Sequence, residues 1–180
     1  DSAEAEVEYK EKTSSSIDFL FEMETSRVNE IFNTSVDENI KTSFLSWTTT
    51  PWTIPGNVAL SINPNLDYSL LEVNKDNSMQ CLIICKDLID SVLERCSISN
   101  FTILSTKPGS ILESVEAKHP YFDRKSTVIL GDHVTTEMGT GIVHTAPAHG
   151  LEDFHASNKY KLEIVNPVSY THLTLPTTYH

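Results

Sequence analysis

The chain has 180 residues, of which 39% are hydrophobic and 21% are charged, and its formal net charge is −12. This length is enough for one hydrophobic core, so we expect a single globular domain. The acidic balance argues against a protein that grips a nucleic-acid backbone along its length, because neutralising phosphates requires basic side chains. No apolar run approaches the roughly 20 residues of a membrane span.

The cysteines are three in number and show no CxxC spacing. We therefore expect neither a disulfide framework nor a zinc site. Free cysteines are typical of a reducing compartment.

The first half of the chain is predicted to be mostly strands. Residues 17–23, IDFLFEM, alternate apolar and acidic positions, a pattern that predicts a half-buried strand with Asp18 and Glu22 on its polar face. Residues 26–43 are polar and rich in helix breakers, so we predict a loop or a weak excursion there. Further strands are predicted at SFLSW, VALSI, DYSLLEV and SMQCLII, and the polar NKDNS is predicted to be the turn between the last two.

The second half mixes helices with strands. KDLIDSVLERC has apolar residues at helical spacing, NFTILS is predicted to be a strand, and GLEDFHASNKYKL is predicted to be a short helix. Between them, STVILGDHVTTEMGTGIVHTA holds two short apolar runs separated by glycine. The predicted fold class is α+β, compact, β-rich and barrel-like.

Residues 46–57, SWTTTPWTIPGN, are unusual because they combine hydroxyls, indole rings and prolines. Pro51 and Pro55 each remove a ladder donor and fix φ, so the strand must end at about Thr48 to Thr50. We predict that the following residues form a rigid loop, whose hydroxyls and indole faces line the wall of a pocket.

A second unusual segment, GTGIVHTAPAHGLEDF, covers residues 139–154. His144 is predicted where a strand enters the loop, and Asp153 in the first turn of a helix, where the backbone dipoles favour a carboxylate. The two side chains could hold a small cation or a polar ligand; equally, each could be purely structural. A metal site formed with His149 and His155 is not expected, because the spacings match neither HExxH nor a zinc finger.

Together these segments carry a family resemblance. SWTTTPWTIPGNVALSINPNLDY, KHPYFDR with VILGDHVT, GTGIVHTAPAHGLEDF and KYKLEIVNPV occur in the same order as in the editing domain inserted into isoleucyl-tRNA synthetases, which residues 3–168 resemble. The HTAP sequence is similar to the bacterial and organellar branch. The valyl and leucyl relatives carry Thr-Thr-Arg-Pro where this chain has Thr-Thr-Pro-Trp.

The resemblance implies domain limits. Residues 1–16 would be a connecting segment from the catalytic domain of a class I aminoacyl-tRNA synthetase, and residues 17–168 the barrel-like editing domain. Residues 169–180 do not match the family, so we expect an artefactual or disordered tail. No HIGH-like or KMSKS-like motif occurs, so ATP and magnesium would belong to the synthetic domain of a longer parent.

The resemblance also implies a catalytic activity, the hydrolysis of valine wrongly esterified to the terminal adenosine of tRNA(Ile). Thr48, Thr49 and Thr50 match the threonines near the adenosine and the attacking water. Asp153 matches the carboxylate that holds the α-ammonium of the substrate. These four residues are the expected catalytic set.

The expected substrate-binding residues are Trp52, Thr53, Asn57 and His144. Trp52, Thr53 and His144 match the walls that admit valine and obstruct isoleucine, and Asn57 matches a position associated with the pocket. An aminoacyl ester is already activated, so no cofactor or metal is expected for editing.

The expected partners are the 3′-CCA end of tRNA(Ile) carrying valine and the rest of the parent synthetase, with no membrane and no oligomer. The compartment would be the cytoplasm if the source is bacterial and the mitochondrial matrix if it is eukaryotic. Two alternatives stay open: the editing domain of a valyl or leucyl relative, and a catalytically silent insertion with a structural or ligand-binding role.

Overall fold

A computed structural model of the chain describes residues 17–147, which form two sheets and two α-helices. The strands are β1 (Ile17–Met23), β2 (Thr42–Thr48), β3 (Ala59–Ile62), β4 (Asp67–Lys75), β5 (Ser78–Cys85), β6 (Asn100–Pro108), β7 (Glu116–Lys118), β8 (Lys125–Leu130) and β9 (Ile142–Thr145). The helices are α1 (Thr25–Phe32) and α2 (Ile89–Arg95), and 3₁₀ turns cover Pro51–Gly56, Lys86–Leu88 and Gly109–Leu112. Neither α-helix of this described part is long and apolar enough to cross a membrane.

The two sheets have the strand orders β1-β2-β5-β4-β6 and β7-β8-β3-β9. Most neighbours are antiparallel, but β2 pairs with β5 and β3 pairs with β8 in parallel. The hydroxyl of Ser46 in β2 donates to the carbonyl of Ile142 in β9 at 2.8 Å, so the end of β2 joins the first sheet to the second. The strand-rich α+β class predicted from the sequence is confirmed.

The core includes alternating residues of β1, nearly all of β2 and β3, the second half of β5 and apolar residues of both helices. In β1, Phe19 and Phe21 are fully buried and Glu22 is exposed, as the alternation predicts. The three cysteines are free and buried. Burial of this many aromatic and branched side chains is the main favourable term in folding.

One residue of β1 departs from the predicted pattern. Asp18 was expected on the polar face but is only 2% exposed, because Arg95 at the end of α2 binds its carboxylate through two nitrogens at 2.5 and 3.2 Å. The same guanidinium lies 5.6 Å from the centre of the Trp47 ring. The paired charge is what allows a carboxylate in this buried position.

The prediction of a loop or weak excursion in residues 26–43 is wrong for its first part, which belongs to α1. Val28 and Phe32 are buried at i and i+4, so a narrow apolar stripe docks an otherwise polar helix. Asn33 then ends the helix in the left-handed conformation with φ 56°. The Asn29 side chain binds the backbone of Val36 through both its amide atoms, at 2.8 and 2.9 Å, and so orders the loop that follows.

Two glycines before β9 adopt positive φ, and their surroundings differ. Gly139 has φ 81° and Gly141 has φ 80°. A Cβ on Gly139 would lie 3.4 Å from the Trp47 ring, whereas a Cβ on Gly141 would overlap the Cβ of Cys85. The carbonyl of Gly141 also accepts a hydrogen bond from the Tyr68 hydroxyl at 2.6 Å. β9 is therefore fixed at its start by close packing against β4 and β5.

Gly141→Ala should destabilise the domain more than the matched change Gly139→Ala. Both place a Cβ at positive φ, which costs about 1–2 kcal/mol, and overlap with Cys85 should add about 1–3 kcal/mol for Gly141 alone. Urea unfolding of the two variants measures the difference. Equal losses of unfolding free energy would show that the backbone conformation matters and the packing does not.

Candidate functional site

The site is built around the turn that follows β2. The strand ends at Thr48, within the predicted range, and Pro51 begins a 3₁₀ turn that contains Pro55 and ends at Gly56. Proline at the first position suits a helical turn, because its missing N–H would have no partner there. The turn closes when Asn57 N–H donates to the carbonyl of Ile54 at 2.9 Å.

Three of the threonines form one hydrogen-bonded cluster. The Thr48 hydroxyl accepts from the Thr50 N–H at 3.0 Å and lies 3.2 Å from the Thr50 hydroxyl. The Thr53 hydroxyl donates to the Thr50 carbonyl at 2.8 Å and lies 3.5 Å from the Thr50 hydroxyl. Thr49, which lies between two of them in the sequence, is exposed.

His144 comes to the same cluster from β9, which pairs with β3 next to the turn. This residue is 9% exposed, and its Nε2 lies 2.7 Å from the Thr53 hydroxyl. Its Nδ1 lies 2.8 Å from the side-chain nitrogen of Asn57, which is fully buried. The structure therefore places His144, Thr53 and Asn57 in direct contact, although more than 80 residues separate the histidine from the other two in the sequence.

Trp52 lies in the turn and is 52% exposed. Asp153, His149 and His155 lie outside the described residues, as do the predicted connecting segment 1–16, the predicted short helix and the tail. Of the predicted site, seven residues can thus be placed, namely Thr48, Thr49, Thr50, Trp52, Thr53, Asn57 and His144.

A cavity of about 320 Å³ is lined by Thr48, which belongs to the cluster, and by the neighbouring Thr49. Its other walls are Trp47, the first two residues of β9, Ile142 and Val143, and part of the loop between β8 and β9, with the residues His133, Val134, Thr135, Met138, Gly139, Thr140 and Gly141. Pockets of this size accept small organic ligands.

A larger cleft of about 740 Å³ lies at the Met23 end of β1. That end is about 20 Å from Thr48 at about 3.3 Å per strand residue, so the larger cleft is not part of this site.

The segment around β7 and β8 supplies side chains that the sequence did not identify as part of the site. His119 is 1% exposed and its Nε2–H donates to the carbonyl of Ile54 at 2.9 Å. The guanidinium of Arg124 donates to the carbonyl of Pro55 and, at 3.1 Å, to that of Asn57. Both residues belong to the KHPYFDR motif, whose resemblance was evident but whose role was not. They hold the turn that carries Thr53 and Asn57.

The protonation of His119 follows from its contacts. Its Nδ1 accepts the backbone N–H of Tyr121 at 3.0 Å and that of Phe122 at 3.2 Å, so the ring proton lies on Nε2. Burial lowers the pKa of His119 from 6.5 to about 4, and the positive charge of Arg124 acts in the same direction. The ring is therefore neutral at pH 7 while it holds the turn.

Several solved editing domains share this fold. The editing domain of P. knowlesi cytosolic leucyl-tRNA synthetase has a TM-score of 0.67 at 17% identity, over 80% of this chain and 62% of that one. For the corresponding P. falciparum domain the TM-score is 0.64 at 17% identity, over 81% of this chain and 66% of that one. At these identities the likeness concerns the fold alone, and that fold is the one found in synthetase editing domains.

The sequence comparison defines the family. The family described as leucyl-tRNA synthetase, editing domain, matches residues 31–177, and the chain belongs to it. Isoleucine–tRNA ligase of Shewanella sp. (strain W3-18-1) is 49% identical over 177 residues, 98% of this chain and 19% of the relative. The Klebsiella pneumoniae (strain 342) enzyme of the same name is 48% identical over 178 residues, 98% of this chain and 18% of the relative. The predicted resemblance is confirmed, and the chain spans about a fifth of the length of these relatives.

Lowering the pH should destabilise the domain through His119. With a folded pKa of about 4 and an unfolded value of about 6.5, the unfolded chain binds the proton more readily between these values. The His119 contribution is therefore complete above about pH 6.5 and decreases as the pH falls toward 4, by about 3 kcal/mol in total.

This pH dependence is measured by urea unfolding between pH 4 and 7. His119→Gln should show a smaller decrease than wild type over that range, whatever its stability at pH 7. His133→Gln removes an imidazole that is exposed and serves as the control. If His119→Gln loses as much free energy of unfolding as wild type, His119 is not the titrating group.

Proposed function

We propose that the domain hydrolyses the ester of valine mischarged on tRNA(Ile), as the proofreading site of an isoleucine–tRNA ligase. The observation that carries the proposal is the junction at Thr48 and Thr49, where a cavity of about 320 Å³ meets a cluster of hydroxyls backed by His144. The names of the relatives at 48–49% identity support the parent enzyme. Most of that enzyme lies beyond this chain.

The hydroxyl-rich site suits the chemistry of this reaction. Water attacks the ester carbonyl carbon, the carbon–oxygen bond to the ribose breaks, and the ribose oxygen takes a proton, which leaves free valine and uncharged tRNA. Because the ester is already activated, orienting the water and stabilising the oxyanion are the main tasks. Thr48 and Thr49 line the cavity, and the Thr50 hydroxyl lies 3.2 Å from that of Thr48. We assign the water-orienting role to these hydroxyls, which require neither metal nor cofactor.

The fixed walls suit the discrimination between valine and isoleucine. One methylene changes binding by only about 1–3 kcal/mol, so a synthetic site rejects the smaller valine poorly and a second, hydrolytic sieve is needed. Such a sieve must exclude isoleucine by shape. Both ring nitrogens of His144 are within hydrogen-bonding distance of side chains on the turn, so the ring cannot swing aside without losing these contacts. We assign His144, Thr53 and Trp52 to the excluding wall. They do not line the cavity itself, and His144 and Thr53 connect to its Thr48 edge through the Thr50 hydroxyl.

The acidic charge supports a small contact with tRNA. With a net charge of −12, the domain would receive only the 3′-CCA end, while the remaining tRNA affinity would come from the parent synthetase. We propose that the domain functions as a monomer within that parent. The named relatives are bacterial, which favours the cytoplasm over the mitochondrial matrix.

Deacylation assays test the function and its specificity together. The chain should hydrolyse valyl-tRNA(Ile), spare isoleucyl-tRNA(Ile), and keep its rate when EDTA is added. His144→Ala should widen the pocket and allow isoleucyl-tRNA(Ile) to be hydrolysed. Equal hydrolysis of both substrates by wild type would contradict the sieve, and hydrolysis of neither would favour the silent-insertion alternative.

The proposed role of Asp153 rests on the family resemblance and on chemistry. Every aminoacyl ester carries an α-ammonium group, and a charge-assisted hydrogen bond to it is worth about 1.5–3 kcal/mol. Asp153→Ala should therefore slow hydrolysis of valyl-tRNA(Ile) by roughly 10- to 150-fold. Glu152→Ala is the matched control and should change the rate little. If Glu152 were essential and Asp153 dispensable, the ammonium site would have to be sought elsewhere.

A further inference from the structure

Asn57 has an amide whose orientation is set by its surroundings. Its side-chain nitrogen lies 2.9 Å from the carbonyl of Ala59, which can only accept a hydrogen bond. The Ser126 hydroxyl in β8 donates to the amide oxygen at 2.6 Å. A flipped amide would bring two oxygens together at the Ala59 carbonyl, so the nitrogen must face Ala59. Asn57 and Ser126 are both fully buried, so water does not compete for these bonds.

The amide orientation determines the tautomer of His144. One N–H of Asn57 donates to Ala59, and the other points at His144 Nδ1, 2.8 Å away. A proton on Nδ1 would face that N–H, so Nδ1 carries the lone pair and the ring proton lies on Nε2. The Nε2–H then donates to the Thr53 hydroxyl at 2.7 Å.

The network ends at the carbonyl of Thr50, which fixes the direction of its last hydrogen bond. Because the Thr53 oxygen accepts from His144, its own hydrogen is free to donate to the Thr50 carbonyl at 2.8 Å. In the network that runs from Ser126 through Asn57 and His144 to Thr53, each donor thus meets an acceptor. The direction of every bond follows because the carbonyls of Ala59 and Thr50 cannot donate. A buried network in which all members are satisfied favours a single arrangement.

We propose that Asn57 and Ser126 are positioning residues that hold His144 as its neutral Nε2–H tautomer, with the ring fixed toward Thr53. Both amide hydrogens of Asn57 are used by Ala59 and His144, so Asn57 acts through the histidine rather than on the substrate. The tautomer and the ring orientation follow from the hydrogen bonds alone. Only the consequence rests on the proposed function: a ring fixed at both nitrogens keeps the shape of the wall that excludes isoleucine. Ser126 thereby becomes a specificity-determining residue about 70 residues from the turn that it orders.

The tautomer is measured directly by long-range ¹H–¹⁵N correlation spectra of the imidazoles in the ¹⁵N-histidine-labelled chain, with His144→Ala used to assign the signals. Wild type should show the Nε2–H pattern for His144. Asn57→Asp replaces the N–H that faces Nδ1 by an acceptor oxygen, so His144 should become protonated at Nδ1. An Nδ1–H tautomer in wild type, or an unchanged pattern in Asn57→Asp, overturns the proposal.

Ser126→Ala tests whether Ser126, the residue of the network farthest from Thr53, affects substrate specificity. It leaves the Asn57 oxygen buried without its donor, which loosens the amide, so the ratio of valyl- to isoleucyl-tRNA(Ile) hydrolysis should fall by roughly 10-fold. Ser61→Ala is the matched control, because Ser61 is a buried serine of β3 whose hydroxyl lies 2.8 Å from that of Thr145, outside this network.

The two readouts separate the positioning role from the proposed function. Thermal melts confirm that each variant is folded, and a Ser126→Ala ratio equal to that of Ser61→Ala would overturn the role of Ser126. If wild type hydrolysed neither ester, the proposed function would be wrong, while the tautomer spectra would still decide whether Asn57 holds the ring.

Discussion

The turn at residues 51–56 lies outside the sheets, and its backbone carbonyls therefore need partners that no strand provides. Buried carbonyls without hydrogen bonds are costly, so the fold must supply donors from elsewhere. Arg124 donates to the carbonyls of Pro55 and Asn57, and His119 adds a second donor at the carbonyl of Ile54, which also accepts the Asn57 N–H. The prolines that force the chain out of the sheet thus create the requirement that the β7–β8 segment satisfies.

Three strands that are distant in the sequence meet at this turn. Thr48 is the last residue of β2, Ser126 lies in β8, and His144 lies in β9. β3 lies between β8 and β9 in the second sheet and follows directly after the turn, so its two neighbours reach the turn from both sides. The geometry of the site is therefore set by the order of the strands in the second sheet.

Much of the fold could be predicted from local patterns, because alternation and proline positions act through neighbouring residues. The limits of β1 and the end of β2 at Thr48 are examples. α1 was missed because its docking depends on a narrow stripe around Val28 and Phe32 in a polar segment. The burial of Asp18 was missed because its partner, Arg95, is 77 residues away.

In the site, too, the residues in unusual local motifs could be identified from the sequence, and those that act through long-range contacts could not. The threonines and His144 could be identified because their motifs are unusual, and the structure brings Thr48, Thr50, Thr53, Asn57 and His144 together. Ser126 had no such signal, since a buried serine resembles ordinary core composition, and His119 lies in the KHPYFDR motif, which does not by itself indicate a role. Only the path of the chain shows that their hydrogen bonds end on the turn.

The hydrogen-bonding partners of the threonine hydroxyls have a chemical consequence for the proposed reaction. Among the described residues, these hydroxyls contact one another, the imidazole of His144 and backbone groups of the turn. Hydroxyls in such surroundings can orient water and donate to a developing oxyanion, but they are too weak to attack a stable bond. A site of this kind would hydrolyse an activated ester and leave ordinary amides intact. Its selectivity would then come from the shape of its walls, which is why the hydrogen bonds that fix the ring of His144 matter as much as the hydroxyls.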